Sequence, residues 1–97
     1  MNAFKAIAAQ GDSFGFASSA VRLPGVGSVV RVCNIGPCPI SVLLGFSNTV
    51  TAQGAGLAIP VGGVEWLARE DSTHIAGVAL GGPSNASMVN IATGEIA

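Results

Sequence analysis

Charge is the scarcest property of this chain. Only 9% of its 97 residues are Asp, Glu, Lys or Arg, against about a quarter in ordinary soluble domains. Four basic residues cannot neutralise a useful run of phosphates, which argues against nucleic-acid binding by charge. Long apolar runs are missing too. The interval from Val32 to Val64 carries no charge, yet Pro37, Pro39, Pro60 and several glycines interrupt it. No run approaches the roughly 18 apolar residues of a membrane helix, so no membrane partner is expected. Two cysteines and one histidine are too few ligands for a closed zinc site. The segment Met1–Asp12 holds one lysine but no apolar stretch followed by a cleavage site. It does not read as a secretion signal, and synthesis in the cytoplasm is expected.

What the chain does have is apolar and small residues. Hydrophobic types make up 49% of it, enough for one domain with a modest core. The surface must then be built largely from Ala, Gly, Ser, Thr and Asn, with apolar side chains left over. Interfaces are depleted of charge at their centres. Low charge density therefore points to a chain that buries much of its surface against other chains.

The stretch Ser28–Phe46 organises the rest. Val30 and Val32 alternate with Arg31 and Cys33, and Ile40, Val42, Leu44 and Phe46 alternate with Ser41, Leu43 and Gly45. A period of two puts an apolar ladder on one face of a strand. Asn34-Ile35-Gly36-Pro37 between the runs is rich in turn formers, so the stretch reads as a central hairpin. Leu57–Val61 and Val64–Ala68 read as a second hairpin across Gly62-Gly63. Phe14 to Leu23, Thr49–Ala52, Thr73–Leu80 and Ala86–Thr93 supply further strands, and Arg69-Glu70-Asp71-Ser72 an exposed turn. Met1–Gln10 could form one or two helical turns or a free arm. No long helical period occurs. The expected fold is all-β, an antiparallel β-sandwich or jelly roll of about seven to eight short strands. An N-terminal arm, residues 1–12, would precede a single domain, residues 13–97.

Candidate chemistry is thin. Cys33 and Cys38 would face each other in a hairpin, but a disulfide closing so small a loop removes little unfolded-state entropy, and two partly buried free thiols are the expectation. Asp71, Ser72 and His74 are triad residue types, yet a triad is defined by geometry rather than adjacency. No nucleophile elbow is present. Glu65 fits a surface pair with Arg69 or Arg31 better than acid/base work. Gly25-Val26-Gly27 and Gly54-Ala55-Gly56 lack the remainder of a dinucleotide fingerprint. Asn85-Ala86-Ser87 matches a glycosylation sequon, which means little without secretion. Trp66 fits a core position between sheets or an interface anchor. No catalytic, metal or cofactor-binding residue is expected, and the protein does not read as an enzyme.

Several segments resemble small virion proteins of tailed bacteriophages. They are Arg31-Val32-Cys33-Asn34-Ile35-Gly36 leading to Pro39-Ile40-Ser41-Val42, then Ile59-Pro60-Val61-Gly62-Gly63 into Trp66, Thr73-His74-Ile75-Ala76, and Ala92-Thr93-Gly94-Glu95. The resemblance spans roughly residues 28–97 and is one of strand and turn pattern. It implies a capsid cement or decoration protein on the virion surface, bridging neighbouring major capsid proteins, without a cofactor. The implied partners are the major capsid protein and copies of the chain itself, as a homodimer or homotrimer. On that reading the arm reaches a neighbouring subunit through Phe4 and Ile7, and Phe14 and Trp66 complete the candidate interface residues. A head-fibre or tail component, and a secreted adhesin-like module with a Cys33–Cys38 disulfide, are the alternatives; a small hydrolase using His74 is a third.

Overall fold

The structure, a computed structural model, describes residues 3–16, 19–47, 56–81 and 85–96. Its elements are all strands: β1 (Phe4–Gly15), β2 (Val21–Arg22), β3 (Val29–Gly36), β4 (Ile40–Gly45), β5 (Leu57–Ile59), β6 (Val64–Ala68), β7 (His74–Ala79) and β8 (Ala86–Ile96). They form two four-stranded antiparallel sheets, ordered β1-β8-β3-β6 and β2-β7-β4-β5. The all-β expectation holds. The order is that of a jelly roll: the first strand pairs with the eighth, the second with the seventh, the third with the sixth and the fourth with the fifth. The chain thus behaves as one long antiparallel ribbon doubled back on itself. Wrapping the ribbon adds the β3–β8 and β4–β7 pairings that complete each sheet.

That winding corrects both expected hairpins. β3 and β4 lie in different sheets, as do β5 and β6. The segments between them are corners at which the chain leaves one layer for the other. The turn chemistry was real, for Gly62 has φ 81° and Gly63 N–H donates to Pro60 O at 2.8 Å. Its use was different. The expected strand Thr49–Ala52 lies outside the described residues.

The N-terminal expectation is also corrected. Residues 4–15 are neither helical turns nor a separate arm; they form β1, paired with β8 from Phe4↔Ile96 to Gly15↔Ala86 with a bulge between Ala6 and Ala8. Helical turns from so short a stretch are marginal alone. Pairing with β8 instead satisfies the backbone along the whole segment.

Alternation decides the core. Val30 and Val32 of β3, Val89 and Ile91 of β8, Ile40 and Val42 of β4, and Ile59 and Ile75 all point between the sheets and are fully buried. Phe14, from β1, joins them. Its ring lies against the backbone of Gly77, where a Cβ would come within 1.9 Å of Phe14 Cδ2. Glycine at 77 is therefore the space Phe14 needs. Phe14 was a candidate interface residue, and its full burial assigns it to the core instead.

The two corners meet at Asn34. Asn34 N–H donates to Gly63 O, and Gly62 N–H donates to Asn34 O, at 2.9 and 2.8 Å. Its fully buried side chain donates from Nδ2 to the carbonyls of Cys38 and Ile59 at 2.8 and 3.0 Å. Its Oδ1 accepts from Gly36 N–H at 3.0 Å and Ser87 Oγ at 2.7 Å. The large majority of buried polar groups are bonded in this way. Asn34 is thus the pin of both crossings.

Candidate functional site

Since Val30, Val32, Val89 and Ile91 point inward, their neighbours define the outward face of the β1-β8-β3-β6 sheet. The strand register sets it out in rows: Gly11, Asn90, Cys33 and Val64; Ala9, Ala92, Arg31 and Trp66; Ala6, Gly94, Val29 and Ala68. Phe4 and Ile96 pair at one end. An antiparallel sheet with one wet face normally shows apolar residues inward and polar residues outward. Here all but Asn90 and Arg31 of the outward rows are small or apolar. Trp66 is 54% exposed, Met88 51% and Ile96 44%, side chains that water would not select. Arg31 is the one charge in these rows.

Arg31 is held rather than loose. It is half-buried, its Nη2 donates to Asn90 Oδ1 at 2.9 Å, and its Cζ sits 5.7 Å from the centroid of the Phe4 ring, within the range of a cation–π contact. Ala92 and Gly94 are outward by register yet buried; a Cβ on Gly94 would come within 2.0 Å of Lys5 O, so the β1 backbone closes over it. Glu65 was expected to pair with Arg69 or Arg31, and neither arginine bonds it. Instead Arg31 bonds Asn90, while Arg69 donates to the carbonyls of Ser72 and Gly25.

Phe4 and Trp66, two of the candidate interface residues, share this face on opposite sides of Arg31. Ile7 does not join them. It lies at the β1 bulge beside Gly25 and is 49% exposed. Trp66 occupies no core position; Leu67, the next residue, packs against the core instead. Alternation around Val30 and Val32 points Arg31 outward from sequence alone. Its flanking by Ala9, Ala92 and Trp66 needed the register.

The densest charge cluster, Arg69, Glu70 and Asp71, lies elsewhere. The Arg69–Ser72 turn, with Glu70 in the left-handed region at φ 52°, borders a shallow open groove of about 260 Å³ with Val26, Gly27 and Thr73. His74 shares a 2.7 Å hydrogen bond with the Thr73 hydroxyl through Nδ1. Ser72 is buried and its carbonyl accepts from Arg69, so the triad types are not aligned on one another. Among the described residues no group of three or more His, Cys, Asp or Glu could hold a metal ion, and no helix is long and apolar enough to cross a membrane. Cys33 and Cys38 are free thiols, half-buried and buried respectively. In the sequon, Ser87 is fully buried and bonded to Asn34, while the Asn85 side chain donates to Gly81 O at 2.6 Å.

Comparison of the chain with protein-family models, with curated proteins and with solved structures finds no match.

Proposed function

We propose that this protein is a structural component of a bacteriophage virion, a cement or decoration protein that binds the outer capsid shell and strengthens contacts between major capsid proteins. The observation that carries the reading is the outward face of the β1-β8-β3-β6 sheet, where Trp66, Met88 and Ile96 stand exposed among Ala and Gly. A face of that kind is an interaction surface. Jelly rolls recur in viral capsid domains, a fold-level analogy that adds weight without deciding function. Contacts that are individually weak become strong when repeated over a symmetric shell. The free thiols favour this reading over the secreted adhesin, which called for a Cys33–Cys38 disulfide.

The test is the mass of the protein in solution at about micromolar concentration, by light scattering, with and without purified capsid shells. Co-sedimentation at saturating, shell-wide stoichiometry supports the reading. Attachment confined to the vertex or tail would assign the chain to a fibre or tail part, and a monomer indifferent to shells would overturn it.

A further inference from the structure

Arg31 stands where an ion pair is normally made and makes none. A guanidinium carries five N–H donors. Here one reaches the neutral Asn90 amide, and Nε is buried with no hydrogen-bond partner. Among the described residues no carboxylate pairs with it. Phe4 and Asn90 nonetheless fix the orientation of the fork, so its ordering is complete before any partner arrives. Pre-organised arginine forks suit bidentate recognition of carboxylates.

We infer that the outward face of β1, β8, β3 and β6 is the docking face, and that its occupant is a different chain whose surface is poor in charge and presents a carboxylate to Arg31. The inference rests on the capsid reading for who supplies that chain, namely the major capsid protein. Three observations on the face support it. Its size is adequate: four strands of 12, 11, 8 and 5 residues, at about 3.4 Å per residue and about 4.8 Å apart, give roughly 600 Å², above the ~500 Å² per partner that a specific interface needs. Its composition is that of an interface centre, with Arg and Trp, the residues most enriched among binding hot spots, in one cross-strand row. Its charge excludes a simple alternative. A second copy apposed across a two-fold axis at this central row would set Arg31 against Arg31, and like charges in a water-poor contact repel strongly. A carboxylate from another chain removes that repulsion and supplies an acceptor for the Nη donors that Asn90 leaves free, the buried Nε lying out of its reach.

The experiment titrates the full chain onto purified capsid shells and reads co-sedimentation at two salt concentrations. The variants are Arg31→Met, Arg31→Lys, Arg31→Glu and, as a control, exposed Phe46→Ser, just past the end of β4. Far-UV circular dichroism and the melting temperature verify folding of each. Arg31→Met should bind roughly 10- to 100-fold more weakly and lose the salt dependence of the native chain. Arg31→Lys, which keeps the charge but not the fork, should fall between them, Arg31→Glu should not bind, and Phe46→Ser should bind normally. Native binding with Arg31→Met within twofold of it would overturn the docking face while leaving the capsid reading standing. A native chain that ignores shells overturns both. A native dimer that Trp66→Glu dissociates would give the face to a second copy and overturn the inference.

Discussion

Replacing Asn34 by alanine tests whether both sheet crossings hang on one side chain. The substitution removes four hydrogen bonds, to Cys38 O, Ile59 O, Gly36 N–H and Ser87 Oγ. Ser87 Oγ and Cys38 O retain each other at 2.7 Å, so the loss falls on the other two. Gly36 N–H and Ile59 O each forfeit the Asn34 side chain at a site closed to water. Leaving a buried polar group unsatisfied costs about 1–3 kcal/mol, so two give about 2–6 kcal/mol, a large share of the roughly 5–15 kcal/mol that holds a domain together. At about 4–8 °C per kcal/mol for a domain of this size, thermal unfolding followed by circular dichroism should show the midpoint fall by roughly 10–40 °C. Asn34→Asp keeps the acceptor but sets a carboxylate against two carbonyl oxygens. Its stability should rise as pH falls, because the protonated carboxyl can donate where the carboxylate cannot. An Asn34→Ala midpoint within about 5 °C of native would refute the argument. The corners would then be held by backbone bonds alone.

Gly77→Ala places a Cβ inside the van der Waals envelope of Phe14; overpacking of this sort costs about 1–3 kcal/mol or more, and a second change, Phe14→Leu, should recover part of the loss in chemical denaturation. An unchanged midpoint would mean that the ring has room to move. Cys33, half-buried on the outward face, should react with a thiol reagent in the native protein, while buried Cys38 should react only after unfolding; one fast and one denaturant-dependent equivalent is the expected count, and two fast equivalents would contradict the burial of Cys38. Deleting residues 1–12 should destabilise the domain, since it strips β8 of its β1 ladder from Phe4↔Ile96 to Asp12↔Val89. A truncated chain with native melting would restore the idea of a separate arm.

Class was legible in the sequence and pairing was not, and particular residues show why. Proline, glycine and period-two alternation say that a stretch such as Ser28–Cys33 is a strand with Val30 and Val32 inward, though β3 runs on through the expected turn to Gly36. A period of two fixes faces, however, and says nothing of which strand lies alongside. Gly62-Gly63 has the composition of a hairpin turn and makes a local turn, yet its strands part into separate sheets, because the ribbon pairing of β3 with β6 and β4 with β5 buries both apolar faces at once. β1 was obscure for another reason. Its Ala and Gly residues carry little strand propensity, and the pairing that makes it a strand lies some eighty residues away in β8. Trp66 was ambiguous because Val64–Ala68 does not alternate in polarity; only Leu67 packing on the core turns the indole outward.

The same residues explain how one small chain can be both stable and sparing of charge. Stability comes from the inward ladder and from Asn34, a neutral side chain whose four bonds do the cross-linking that ion pairs or a disulfide would otherwise provide. Neutral networks need no counter-charge at the surface. The outward face of the β1-β8-β3-β6 sheet is thereby free to be built from Ala, Gly, Met and Trp around one arginine. A sequence that placed its few charges for folding would have put a carboxylate opposite Arg31. This one has Trp66 and Ala92 there, and on the proposed reading the ion pair that the core does not require falls to another chain.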